Sequence, residues 1–340
     1  MYRRRDILKL ASAKPAGSLQ ESGPEKSFGY WLHVSRTAMA CRFEVTFPDN
    51  FEAGVGAASA ALDEVARIES QLSVYREESE LSLLNRRAWS GAVGVEPGLY
   101  RLLERCRDLA ELTGGAFDIT AGPLSRIWGF THREGRVPTV EEIEAARARV
   151  GSGMMRLDGE ARTVRLMRQG MEINPGGVGK GYALDSVAAQ MRVAGVPALL
   201  TAGFSSMLAV GQFWTVGISH PRRPGQRLAV IRLRDLALAT SGSEEQYFER
   251  GGIRYGHIID PRSGWPAPAG ASVTVVTTTA TDADALATGF YAGGRQMAED
   301  YCAAHPGTLV VLLEAGSERP VLIGGNPQCE VTIINEQTNG

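Results

Sequence analysis

The sequence predicts an α+β protein, built largely on antiparallel sheets with packed helices. Apolar residues at helical spacing cluster early in the chain, while extended apolar runs crowd together after Pro197. The two do not alternate as βαβ units, which argues against a doubly wound parallel sheet. With 340 residues, 44% of them hydrophobic, and a mean hydropathy of −0.12, the chain has material for a large core in a soluble globular protein.

Residues 1–26 read as a basic tail and 27–340 as a single domain. Arg42–Phe47 alternates as a strand. Ala61, Val65, Ile68 and Leu72 then mark one helix, and Leu99, Leu102, Leu103, Cys106, Leu109 and Ala110 a second. Thr139-Val140-Glu141-Glu142 is a capping-box pattern opening a third, charged helix to about Val150. A strand at Thr163–Leu166 leads into the glycine loop Asn174–Gly181, and Leu184, Val187, Ala188 and Met191 give the next helix its apolar face. Strands follow at Ala198–Leu200, Met207–Val210, Thr215–Ile218, Leu228–Leu233, Val273–Thr277 and Thr308–Leu313.

The 36 basic and 38 acidic residues are scattered and nearly balanced, so no global field draws in nucleic acid. No apolar run approaches the ~20 residues of a membrane span. Cys41, Cys106, Cys302 and Cys329 lack the spacing of a zinc site or redox pair, and Cys106 reads as packing. Arg4-Arg5-Asp6-Ile7-Leu8-Lys9 resembles a twin-arginine export signal, yet Lys14, Pro15, Glu21 and Glu25 interrupt the apolar region that should follow. A decayed signal and a plain basic tail both stay open, and with them an extracytoplasmic or a cytoplasmic location.

Three polar clusters between Thr240 and Thr288 mark a site. They are Thr240–Phe248, the turn Tyr255–Pro266 with His257 and Asp260, and Asp282–Thr288. On a helix Asp284 and Thr288 stand at i and i+4, where a carboxylate and a hydroxyl can share one hard cation; Asp282, nearer the helix start, is the better cap. Gly176, Gly177, Gly179 and Gly181 let backbone approach a ligand, and Lys180 adds a point charge suited to diphosphate. The loop is neither GxGxxG nor a Walker motif. A glycine-rich packing turn and a hydrogen-bonding structural histidine are the plain alternatives.

Taken in order, Tyr75, Ser79–Asn85, Phe117–Leu124, Asn174–Tyr182, Thr240–Gly242, His257–Pro266 and Ala283–Thr288 resemble the ApbE family of FAD:protein FMN transferases, over about Met39 to Gly293. The resemblance implies an ApbE-like, T-fold-like architecture and transfer of FMN from FAD to a Ser or Thr hydroxyl of a partner protein, with AMP released. It places His257 in the catalytic position. Met39, Tyr75, Ala116, Phe117, Asp118, Asn174, Lys180 and Ile259 would contact FAD, and Gly177, Asp284 and Thr288 would hold Mg²⁺. The family pattern breaks where Asn174 replaces Asp, Ala40-Cys41 replaces Gly-Thr, Phe204 replaces a glycine and is expected to crowd the pocket, and Ala287 stands where some members have a second acid. Those departures keep two alternatives in view: an FAD pyrophosphatase yielding FMN and AMP, and a flavin-binding protein without turnover.

Overall fold

The computed structural model describes residues 29–131, 133–242, 246–268 and 270–334, so the basic tail and its twin-arginine-like start lie outside the described residues. An eight-stranded sheet forms the spine. Its spatial order is also the chain order: Trp31–Ala38, Cys41–Pro48, Ala198–Ala202, Ser206–Val210, Ala237–Gly242, Ser272–Thr277, Leu309–Leu313 and Val321–Gly324. Every neighbouring pair in it is antiparallel, as the missing βαβ alternation predicts.

Successive side chains along these strands enter two different cores. Ala237, Ala239, Val273, Val275, Val310 and Leu312 pack with the helices Gly54–Leu72, Gly179–Val193 and Ala280–Gly293 on one face. Leu238, Val276, Leu309, Val311 and Leu313 meet a three-stranded sheet of Phe213–Ser219, Arg227–Arg234 and Cys329–Ile333 on the other. Burial on both faces explains the unbroken Leu-Val-Val-Leu-Leu of residues 309–313, all buried.

The second predicted helix is Pro97–Leu112, with Cys106 fully buried in the core. The third is Val140–Arg147, ending three residues short of Val150, and its capping box forms through Glu142 N–H to Thr139 Oγ1 (3.3 Å) and Thr139 N–H to Glu142 Oε2 (2.8 Å). Where the helices Gly179–Val193 and Ala280–Gly293 cross, a Cβ on Gly181 would lie 2.0 Å from the Ala280 carbonyl oxygen. Gly181 therefore serves helix–helix contact, not the ligand approach its place in the glycine loop suggested. None of the four cysteines is joined in a disulfide, and among the described residues no helix is long and apolar enough to cross a membrane.

Candidate active site

The glycine loop is pinned at its entry. Asn85 Nδ2 donates to the Ile173 carbonyl (2.9 Å) and Asn85 Oδ1 accepts from Ile173 N–H (2.8 Å), while Asn174 N–H donates to the Ile119 carbonyl (2.7 Å). Asn174 Oδ1 then accepts from Gly176 N–H (2.9 Å), capping the single turn Pro175–Gly177. Lys180 follows in the first turn of Gly179–Val193, where its Nζ donates a short hydrogen bond to Ser205 Oγ in the hairpin between the third and fourth sheet strands.

The acidic cluster sits on Ala280–Gly293. Asp282 was expected to cap this helix, but Thr279 does so, accepting from Asp282 N–H (3.2 Å), because the helix starts one turn earlier than the acidic run suggests. Asp282 instead forms a two-pronged ion pair with Arg105 at 2.8 and 2.9 Å. A second acid, Asp185, holds the helix start: it accepts from Ala280 N–H (2.8 Å), Thr281 N–H (2.9 Å) and Thr281 Oγ1 (2.6 Å). It satisfies donors that a helix N-terminus leaves without intrahelical partners.

One turn on, the buried Asp284 accepts from Gly181 N–H (2.7 Å) and Ser206 Oγ (2.6 Å). Burial pushes its carboxyl above the ordinary range, against the pull of the nearby Lys180 ammonium. Thr288 Oγ1 donates its hydrogen to the Asp284 carbonyl (3.0 Å), leaving oxygen lone pairs, and a Cβ on Gly177 would come within 3.3 Å of that oxygen. Carboxylate and hydroxyl oxygens are hard donors of the kind Mg²⁺ takes. Among the described residues no three His, Cys, Asp or Glu gather in one group.

His257 follows the hairpin Tyr247–Arg250 and Ile253–Gly256, turned by Gly251 and Gly252 at φ +59° and +75°. Its main-chain N–H and its Nδ1 both lie 3.1 Å from the Gln246 carbonyl. A carbonyl only accepts, so Nδ1 carries the hydrogen of this contact. Asp260 is a turn brace, paired with Arg262 at 2.8 and 3.0 Å, and Trp128 Nε1 bonds the Gly264 carbonyl (2.9 Å) beneath it.

These parts enclose two adjoining hollows that share Tyr75, Phe130, Asn174, Gly176, Lys180, Gln246 and His257. The smaller, of about 230 Å³, also takes in Ala116, Phe117, Asp118, Gly177, Ile259, Asp284 and Thr288; the larger, of about 820 Å³, takes in Met39, Ala40 and Cys41. All twelve residues that the resemblance assigns to catalysis, FAD or Mg²⁺ line this one space. Asp118 does so with its carboxylate occupied, accepting from Thr120 N–H, Thr120 Oγ1, Ser152 N–H and Ser152 Oγ at 2.6–2.8 Å.

The departures from the family pattern acquire physical readings. Phe204 does not crowd the pocket: it lines neither hollow and is 93% exposed. Ala287 is fully buried in the apolar core, away from the site's lining. Ala40, where the pattern has glycine, sits at φ +58° in the turn after the first strand, a conformation glycine adopts without strain. Sequence reasoning missed Asn85's clamp and the roles of Asp185, Ser205, Ser206 and Gln246. Asp185 carried a signal, an acid beside Leu184 in the apolar stripe of its helix.

The ApbE family model matches residues 39–313. This chain belongs to the ApbE family. It is 34% identical over 259 residues to the FAD:protein FMN transferase of Treponema pallidum, covering 69% of this chain and 72% of that one. It is 30% identical over 278 residues to the enzyme of the same description from Vibrio cholerae, covering 78% and 82%. The ApbE protein of Thermotoga maritima has a similar structure, with a TM-score of 0.78 at 32% identity over 85% of this chain and 97% of that one. The α+β architecture read from the sequence is thus the ApbE fold.

Proposed function

We propose that this chain is an FAD:protein FMN transferase, moving FMN from FAD to a Ser or Thr hydroxyl of a partner protein and releasing AMP. Membership of the ApbE family supports the reaction. The observation that carries its assignment to this site is the convergence of Lys180, Asp284, Thr288 and His257 on one cavity.

Lys180 binds the diphosphate, held in place by Ser205. Asp284, Thr288 and the Gly177 carbonyl would hold Mg²⁺, which when bound neutralises charge on the phosphates. Phe117, Phe130 and Ile259 offer apolar wall to a flat ring. His257 Nε2 accepts the proton of the incoming hydroxyl, while the Gln246 carbonyl holds the ring in that tautomer. The hydroxyl oxygen forms a bond to the FMN phosphorus as the bridging P–O bond breaks, and AMP leaves with the bridging oxygen. With water in place of the hydroxyl the same site would yield FMN and AMP.

Incubation with FAD and Mg²⁺, with and without an acceptor peptide, followed by chromatography, separates the readings. Flavinylated peptide with AMP supports transfer, FMN with AMP in both arms marks a pyrophosphatase, and unchanged FAD marks a binding protein. Full turnover in excess chelator would overturn the role of the metal.

A further inference from the structure

Phe204 is the most exposed large apolar side chain among the described residues. It is not on a loose loop. The hairpin apex Gly203–Ser205 is tied down by Gly203 N–H to the Arg42 carbonyl (2.8 Å), by Thr240 N–H to the Ser205 carbonyl (2.8 Å) and by Lys180 to Ser205 Oγ. Its neighbours place it at the site: a Cβ on Gly203 would lie 3.4 Å from Cys41 Cβ, and both Cys41 and Lys180 line the cavity. A phenyl ring is thus held in water on a fixed backbone, between two residues that touch the cavity-lining Cys41 and Lys180, with apolar surface available for burial on binding.

We propose that Phe204 is a docking contact for the acceptor protein, packing on an apolar side chain of the extended segment that carries the reactive hydroxyl. The inference rests on the transferase reading above. Continuity favours this occupant over others: FAD is held by groups inside the cavity, whereas the second substrate must bring its hydroxyl in from solvent across the mouth. The contact would select acceptor sites with a hydrophobic neighbour beside the Ser or Thr.

The test uses the full chain and two synthetic peptides, identical except for Leu or Gly beside a single Thr. The wild type is expected to favour the Leu peptide about tenfold in kcat/KM, equivalent to ~1.4 kcal/mol. Phe204→Ala should erase that preference, Phe204→Leu should keep part of it, and FAD affinity should stay unchanged in both. Equal preference in wild type and Phe204→Ala overturns the proposal. So does a parallel loss of FAD affinity, which would make the ring a cofactor contact, or a change of oligomeric state by light scattering, which would give it to a second copy. If the wild type hydrolyses FAD but modifies neither peptide, the transferase reading fails and takes the proposal with it.

Discussion

Asp185 touches no substrate in this scheme, yet it anchors the helix that carries two residues of the site, and its removal should be read in stability. Replacing it by Ala takes away three accepted hydrogen bonds, at 2.8, 2.9 and 2.6 Å, from the first turn of the helix that carries Asp284 and Thr288. Bonds to a charged acceptor contribute about 1.5–3 kcal/mol each, with the lower end fitting a carboxylate that is only partly buried. We expect a loss of about 3 kcal/mol for Asp185→Ala, less than three such bonds would sum to, because removing the carboxylate also relieves the cost of burying it. For Asp185→Asn, which retains one oxygen acceptor but leaves a backbone donor facing an amide N–H, about 1.5 kcal/mol is expected. Burial also pushes the Asp185 carboxyl above its ordinary value of 3.8. Between that value and the raised one the folded state keeps a proton the unfolded chain has lost, so this group's contribution to stability falls as pH rises across the window. Urea unfolding from pH 4 upward checks both points, and Asp185→Asn should lose the slope. A loss below about 0.5 kcal/mol for Asp185→Ala, smaller than even one hydrogen bond to a charged acceptor contributes, would refute the reasoning.

Asp284→Asn should abolish Mg²⁺-dependent turnover while the protein stays folded, since the amide can still accept from Gly181 N–H; activity near wild type at saturating Mg²⁺ would count against its role. Gly181→Ala should cost more than about 3 kcal/mol or prevent folding, because the new methyl meets the Ala280 carbonyl at 2.0 Å and neither helix backbone can yield cheaply; a soluble variant with an unchanged melting temperature would contradict the packing. Ala40→Gly should stabilise the turn by about 1 kcal/mol, measured by chemical denaturation, by relieving the left-handed backbone at φ +58°. Asn174→Asp keeps an acceptor for Gly176 N–H and adds a charge, so Mg²⁺ titration should show tighter binding; weaker FAD binding instead would mean that the Asn amide donates to the cofactor.

What the sequence disclosed follows from what periodicity encodes. Helices with one apolar stripe, such as Pro97–Leu112, and buried strands, such as Leu309–Leu313, were legible because burial repeats at the period of the element. Ala237–Gly242 was not, since Thr240-Ser241-Gly242 reads as a loop, although the strand is completed by pairing with Ser272–Thr277. The first strand, Trp31–Ala38, mixes His33, Ser35 and Thr37 with its apolar residues and lies at the sheet edge. The cavity's lining was named through ordered motifs, each weak alone. Its supports were not, because Ser205, Ser206 and Asp185 act through partners 25, 78 and 95 residues away, a separation no local pattern records.

The coincidence of chain order and spatial order in the main sheet separates scaffold from chemistry. Between Pro48 and Ala198 the chain leaves the sheet, builds much of the cavity wall, and returns to pair antiparallel beside the strand it left; between Gly242 and Ser272 it makes a shorter detour that supplies His257. The strands before and after each detour are hydrogen-bonded to each other, so the detour's ends are fixed whatever lies between them. Lengthening such a loop costs little additional closure entropy, about 0.6 kcal/mol per doubling. New acceptor specificities can therefore arise by rewriting the excursions while the spine that aims Asp284 and Thr288 stays in register.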